Sequence, residues 1–205
     1  MTALSIPDAD ERGDLGAFIA RVVRLDPAAA ARLRAGPGTV TAWASTPFDV
    51  LATRTVHGHV DPSDVTVSAN ALLTALAVEK AATVDPGAGG LWPGDLPPDS
   101  GWSAVDVVPA AEIDALTERG LAVARENAGP LGPPASLLDQ NVLTVSAAAG
   151  PTVKVPLRCL FALSGMGFVG GEGDVRVSAT GAWLRLDAHY GAVVRRRTLT
   201  LPLLV

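Results

Sequence analysis

Three stretches near the C-terminus carry apolar residues at every second position: Val175, Val177 and Ala179; Leu184, Leu186 and Ala188; Leu199, Leu201 and Leu203. Successive side chains of a strand point to opposite faces, so each stretch buries one face and wets the other. This pattern constrains the fold more than any other feature. It predicts an antiparallel meander over Asp174–Ala179, Ala182–Ala188 and Ala192–Leu203, with its apolar face covered by another layer.

Helical spacing elsewhere supplies that layer. Leu15, Phe18, Ile19, Val22 and Val23 recur on one helix face, with Asp14 as an N-cap candidate. Asp26-Pro27 breaks this helix and opens a second, which runs to about Ala35 before Gly36-Pro37-Gly38 ends it. Thr39–Ser45 and Phe48–Val60 read as a hairpin across Thr46-Pro47. Val65-Thr66-Val67 is a short strand, and Ser68 caps a helix over 69–82. Residues 85–101, DPGAGGLWPGDLPPDSG, form a long loop rich in breakers. Ser103–Val108 reads as a strand, and Pro109 opens a helix that Gly129 stops. Asn141–Ala147 and Thr152–Val155 pair as a hairpin, followed by the apolar run Leu157–Leu163. The fold class is therefore α+β: an antiparallel sheet with helices packed on one face.

Two similar halves, 1–108 and 109–205, suit this order. Val65-Thr66-Val67-Ser68-Ala69-Asn70-Ala71-Leu72-Leu73 aligns with Val153-Lys154-Val155-Pro156-Leu157-Arg158-Cys159-Leu160-Phe161. The alignment equates Val67 with Val155 and Leu72 with Leu160. It predicts a second copy beside the first and a dimer edge at the C-terminal meander.

Of 205 residues, 48% are apolar and 18% charged, which excludes a largely disordered chain and suits one medium domain or two small ones. No apolar run is long enough for a membrane span, and MTALSIPDADERGD lacks the basic and apolar regions of a secretory signal. The single cysteine, Cys159, allows no intramolecular disulfide and no cysteine zinc site, so a cytoplasmic setting is expected. Residues 1–151 hold 9 Lys/Arg against 18 Asp/Glu, while 152–205 hold 7 against 3. The two ends are expected to neutralise each other within one fold. There are 14 arginines but only Lys80 and Lys154, with abundant Ala, Gly, Pro and Val. In this GC-rich codon style the chain resembles uncharacterised conserved proteins of high-GC actinobacteria, a resemblance of composition that implies no activity.

Several residues invite a chemical reading. His57 and His59, at i and i+2 of one strand, would share a face and could hold one metal with Asp61 or Asp64. The competing reading is a polar strand end with both imidazoles in water. Gly165–Gly170 matches G-x-G-x-x-G, but Gly171-Glu172-Gly173-Asp174 follows where a dinucleotide site needs a helix, so 165–173 reads as an irregular loop. Cys159 lies in an apolar run and reads as a small hydrophobe. Arg195, Arg196 and Arg197 could bind an anionic partner, yet the chain is acidic overall and only 4% aromatic, which argues against nucleic acid. Edge protection of a last strand is the favoured role. Trp92 lies in the 85–101 loop and Trp102 ends it, and they either anchor a partner or pin the loop to its own domain.

The residues that do chemistry are few and scattered, and no nucleophile elbow, zincin or P-loop pattern occurs. The function expected is a non-catalytic cytoplasmic module that binds a protein partner or itself. It needs no cofactor, nucleic acid or membrane. A metal-dependent hydrolase using His57 and His59 is one alternative. A small-molecule binder in the gap between helices and sheet, with 85–101 as lid, is another.

Overall fold

The computed structural model describes residues 2–79, 81–130, 132–148, 150, 152–170 and 173–197. The chain runs β1 (Ala3–Ser5), α1 (Ala9–Leu25), β2 (Ala30–Gly36), β3 (Thr39–Thr46), β4 (Val50–His57), β5 (His59–Asp61), β6 (Asp64–Ser68), α2 (Ala69–Glu79) and β7 (Thr83–Val84). It continues through β8 (Ser103–Pro109), α3 (Ala110–Glu126), α4 (Ala135–Leu138), β9 (Asn141–Ser146), β10 (Thr152–Pro156), α5 (Leu157–Gly165), β11 (Asp174–Ala179), β12 (Trp183–Ala188) and β13 (Gly191–Arg196). An eight-stranded sheet in the order β6-β2-β3-β4-β13-β12-β11-β8 is antiparallel at every pairing. Residues of the helices, Phe18, Ile19, Leu72, Ile113, Leu160 and Leu163 among them, share one core with the inward residues of the strands. The fold is α+β with helices on one face of an antiparallel sheet.

The meander forms as expected up to β13, while Leu199, Leu201 and Leu203 lie outside the described residues. Helix α1 starts earlier than its apolar spacing suggests. Asp8, not Asp14, is the N-cap, and its carboxylate accepts from the amides of Asp10 and Glu11 at 2.9 Å each. Asp14 instead pairs with Arg54. The helix expected after Pro27 is strand β2. Ala31 and Leu33 turn inward, and Arg32 and Arg34 reach Asp64 on the neighbouring β6. Ala and Arg favour helices locally, but pairing on both sides with β3 and β6 overrides that preference.

The two halves correspond outward from the central β4–β13 pair: β3 with β12, β2 with β11, and β6 with β8. Each outermost strand runs directly into a helix, β6 into α2 and β8 into α3. Each short ladder, β1–β7 and β9–β10, holds a strand just ahead of the other helix. The chain visits these units in opposite order in the two halves. The Val67–Val155 equivalence therefore fails: Val67 belongs to the large sheet and Val155 to the β9–β10 ladder. Val67 matches Val108, and Leu72 matches Ile113, both fully buried. Ile6-Pro7 ahead of α1 matches Val155-Pro156 ahead of α5.

Candidate functional site

The 85–102 segment crosses the sheet on the face away from the helices. Trp43 has the opposite parity to Ala42 and Ala44, whose side chains join the main core. Trp43, Trp183 and Val194 therefore form a separate apolar patch, and Trp92, Leu96 and Trp102 pack onto it with Leu51. The Trp102 indole N–H donates to the Pro98 carbonyl at 3.0 Å, tying the end of the loop to itself. The two loop tryptophans thus pin the segment to its own sheet. A lid over the gap between helices and sheet is ruled out by this placement, because the segment lies on the other face.

Arg195–Arg197 do not guard an edge. Strand β13 sits inside the sheet, hydrogen-bonded to β4 on one side and β12 on the other. For the same reason it is not a dimer edge; the sheet ends at β6 and β8. Alternation predicted which residues share a face but carries no information about which strand lies alongside. Arg195 lies 3.4 Å from both Asp49 and Asp139, Arg196 lies 3.3 Å from Asp95, and Arg197 donates to the Thr180 carbonyl at 2.8 Å. Arg196 also lies over the Trp183 ring, 5.5 Å from its centroid. Positive and negative ends of the sequence meet here, as the charge asymmetry suggested.

Sequence reasoning missed the residues that complete this cluster. Arg158, with a side chain only 9% exposed, bonds Asp139 at 2.8–2.9 Å and donates to the Phe48 carbonyl at 2.8 Å. A charged residue inside Leu157–Leu163 was the available signal, since a buried guanidinium needs a partner. Asp49 stands in the β3–β4 turn with φ of +57°, a conformation rare outside glycine but tolerated by Asp. Around these groups lies a cleft of about 570 Å³. Leu51, Trp183 and Val194, Pro93-Gly94-Asp95, Asp49 and Arg195–Arg197 line it. By strand alternation Arg196 shares the face of Trp183 and Val194, and Arg195 the opposite face, with Val193. A wider depression of about 1050 Å³ on the same face runs from Arg34 and Trp102 to Arg176 and Arg185. On the helical side, Phe48, Leu121, Ala124 and Phe161 line an apolar cleft of about 390 Å³.

His57 and His59 are not on one strand. Strand β4 ends at His57, Gly58 donates to the Gly38 carbonyl at 3.0 Å, and β5 begins at His59 in a different sheet. A Cβ on Gly58 would stand 2.4 Å from the Ser5 carbonyl oxygen, so glycine is needed where β1 passes. His57 Nδ1 lies 2.6 Å from Glu11 Oε1, and the His57 amide donates to Glu11 Oε2. The hydrogen bond between them holds the Glu11 carboxyl below its ordinary value and lifts the His57 imidazole above its own. His59 is exposed, and His189 packs edge-on to Tyr190 in the β12–β13 turn. Among the described residues, no three His, Cys, Asp or Glu side chains cluster as a metal site would require. Burial pushes the Cys159 thiol up to about 12, despite Arg195 and Arg158 nearby. Residues 166–170 are irregular, and Phe168 stacks on Phe18 at 6.1 Å. No helix among the described residues is long and apolar enough to cross a membrane.

The fold is similar to that of DNA polymerase sliding clamps. The Caulobacter crescentus beta sliding clamp matches 98% of this chain and 66% of its own, with TM-score 0.61 and 16% identity. The Bacillus subtilis DNA polymerase sliding clamp matches 98% and 65%, with TM-score 0.61 and 12% identity. The Bartonella birtlesii clamp bound to griselimycin matches 98% and 67%, with TM-score 0.56 and 14% identity. The likeness is one of fold, and the chain spans about two thirds of the length of these clamps. Residues 97–200 match the family described as Domain of unknown function (DUF8185), and residues 1–92 match Domain of unknown function (DUF8010). The chain belongs to the DUF8185 family. No functionally curated protein matches it in sequence.

Proposed function

We propose that this chain is a non-catalytic, cytoplasmic interaction scaffold that docks a segment of a protein partner in the cleft beside β13. The carrying observation is the cleft itself, where Leu51, Trp183 and Val194 lie beside the pinned loop and the exposed Arg196. Apolar floors with charged rims suit a side chain inserted from a partner. The clamps of similar fold are polymerase subunits, and one of them holds griselimycin; a docking role here is in keeping with that class. Neither a cofactor nor a catalytic residue is part of the reading.

Nucleic acid is not the proposed partner. Helices α1, α2, α3 and α5 hold eight Asp/Glu against six Arg, and the chain carries −5 overall. Phosphate binding draws its affinity from surplus Lys and Arg, which the helical layer lacks. The test is site-directed photo-cross-linking in cells from position 95 at the cleft, with position 73 in the α1–α2 groove as control. Recurrent capture of one partner segment at 95 but not 73, lost when Arg196→Cys is capped with a bulky maleimide, is expected. Equal labelling from both positions overturns the reading.

A further inference from the structure

We infer that the apolar cleft between α3 and α5 binds a small monocarboxylate with a single aliphatic chain, and that its carboxylate meets Arg125. The inference stands apart from the docking reading above, because this cleft lies on the helical side. It opens beside the close contact of Gly120 with Leu157. Helix α3 presents Thr117, Leu121 and Ala124 to it, one stripe at helical spacing, and Ala128 follows just past the helix end. Helix α5 contributes Phe161, then Ser164 and Gly165. Small residues on both helices thus leave space that longer side chains would fill. Phe48, edge-on to Phe161 at 6.0 Å, and Pro133 add apolar wall. The volume of about 390 Å³ falls within the roughly 300–1,000 Å³ of small-molecule sites. Its walls come from α3, α5, the β3–β4 turn and the linker at Pro133, which suits a compact ligand more than a long continuous strand.

Charge selects the head group. Arg125 is the one charged residue in the lining, and no carboxylate lines the cleft. Arg125 is exposed and pairs with no carboxylate among the described residues. The residues three and four places away on either side, Leu121, Ala122, Ala128 and Gly129, are uncharged, so its own helix does not neutralise it. Arg24 stands at the margin and donates to the Gly165 carbonyl at 3.0 Å. Ser164 adds an exposed hydroxyl, whereas Thr117 gives its proton to the Ile113 carbonyl at 2.7 Å. In a chain of net charge −5, a cation without a counter-ion beside an apolar cleft is complementary to an anionic head on an apolar chain. A single guanidinium balances one negative charge, so a carboxylate suits it better than a phosphate monoester.

The experiment titrates the full chain with octanoate, octanol, octyl phosphate and octyltrimethylammonium by calorimetry, each below its micelle concentration. Octanoate should bind about tenfold tighter than octanol, the fold-change of one charged hydrogen bond, and the ammonium should bind weakest. Going from hexanoate to octanoate should tighten binding by up to about fourfold per methylene. Arg125→Gln, at an exposed position, should bring octanoate down to the level of octanol and leave octanol unchanged. That split is a readout misfolding cannot produce. Ser164→Leu, also at an exposed position, should fill the cleft and weaken acid and alcohol alike, with its urea midpoint confirming the fold. Equal binding of octanoate and octanol, or tighter binding of octyl phosphate, overturns the carboxylate ligand. Octanoate binding that survives Ser164→Leu in the folded chain overturns the location. Binding of no amphiphile to the folded parent overturns the inference; a dimer in sedimentation that Ser164→Leu dissociates would then assign the face to a second copy. Each of these outcomes leaves the docking reading to its own test.

Discussion

Substituting Gly120 by alanine should destabilise the chain, although alanine is the better helix former. Gly120 lies in α3 where α5 crosses it. A Cβ there would stand 2.4 Å from Leu157 Cδ1, 3.1 Å from Cδ2 and 3.3 Å from Cγ. Carbon atoms in contact settle at about 3.5–4.0 Å, so Leu157 must withdraw by about 1 Å. It has little room, being 1% exposed and packed among Ala124, Leu137 and Phe161. Overpacking of this kind costs about 1–3 kcal/mol, against about 1 kcal/mol gained from helix propensity. The net expectation is a loss of about 1 kcal/mol, or about 2–4 °C in Tm for a chain of this size. Gly16 in α1 is the control, since nothing lies within 4 Å of its Cβ position. Gly16→Ala should gain about 0.5–1 kcal/mol. Adding Leu157→Val to Gly120→Ala should recover part of the loss, giving a favourable coupling in a double-mutant cycle. Urea unfolding with unchanged m-values reads the parent and the four variants, Gly120→Ala, Gly16→Ala, Leu157→Val and the Gly120→Ala/Leu157→Val double. If Gly120→Ala stabilises as much as Gly16→Ala, the close approach of α3 and α5 argued above is wrong.

Three further expectations concern charge and burial. The pair of Glu11, held low, and His57, held high, should stabilise the fold only between their two titrations. The contribution is lost as pH falls through the folded Glu11 value and again as pH rises through the folded His57 value. Stability of the parent minus that of His57→Gln, followed from pH 3 to 9 in roughly unit steps, should therefore rise and fall; a flat difference sinks the assignment. Cys159, pushed up to about 12, should stay unreactive to a thiol-disulfide reagent at neutral pH until urea unfolds the chain; reaction in the native state would contradict its burial. At the Arg158–Asp139 pair, Asp139→Ala should cost more than Arg158→Met, about 3–5 against about 1–3 kcal/mol. The first leaves the buried guanidinium only the Phe48 carbonyl and the more distant, exposed Asp49, whereas the second leaves a carboxylate that is already 53% exposed; the reverse order in urea melts would refute this.

The elements that could be read from the sequence are those whose own pattern determines their burial. The β11–β12 alternation and the apolar stripe of α1 each describe a face that must be covered, whatever covers it. Strand β2 escaped because Ala30–Gly36 has helix-forming composition and becomes a strand only through its two neighbours. The His57–His59 pair looked like one strand face because the need for Gly58 lies in Ser5, more than fifty residues earlier in the chain. The cleft was half visible. Its arginines and loop tryptophans stood out as residue types, but Asp49, Asp139 and Arg158 are ordinary in local context and gain their roles from distant partners.

The order of units explains why the duplication was seen at the wrong place. A repeat copied in tandem keeps its order, so a search along the chain aligns like with like. Here the strand entering α1 corresponds to the one entering α5, and the strand entering α2 to the one entering α3. Both classes have a buried V-x-V-like or L-x-I-like strand end followed at once by a helix, because both face the same need: a strand that turns into the helical layer must bury its last inward residue. Val65–Leu73 and Val153–Phe161 therefore resemble each other through common physics and not through common position. The central β4–β13 pairing follows from the same arrangement. With the two units in opposite order, the β3–β4 hairpin and the last hairpin, β12–β13, come together at the middle of the sheet, which brings Asp49 of the β3–β4 turn against Arg195 of β13. The cleft is thus a product of the join between halves, and neither half contains it alone.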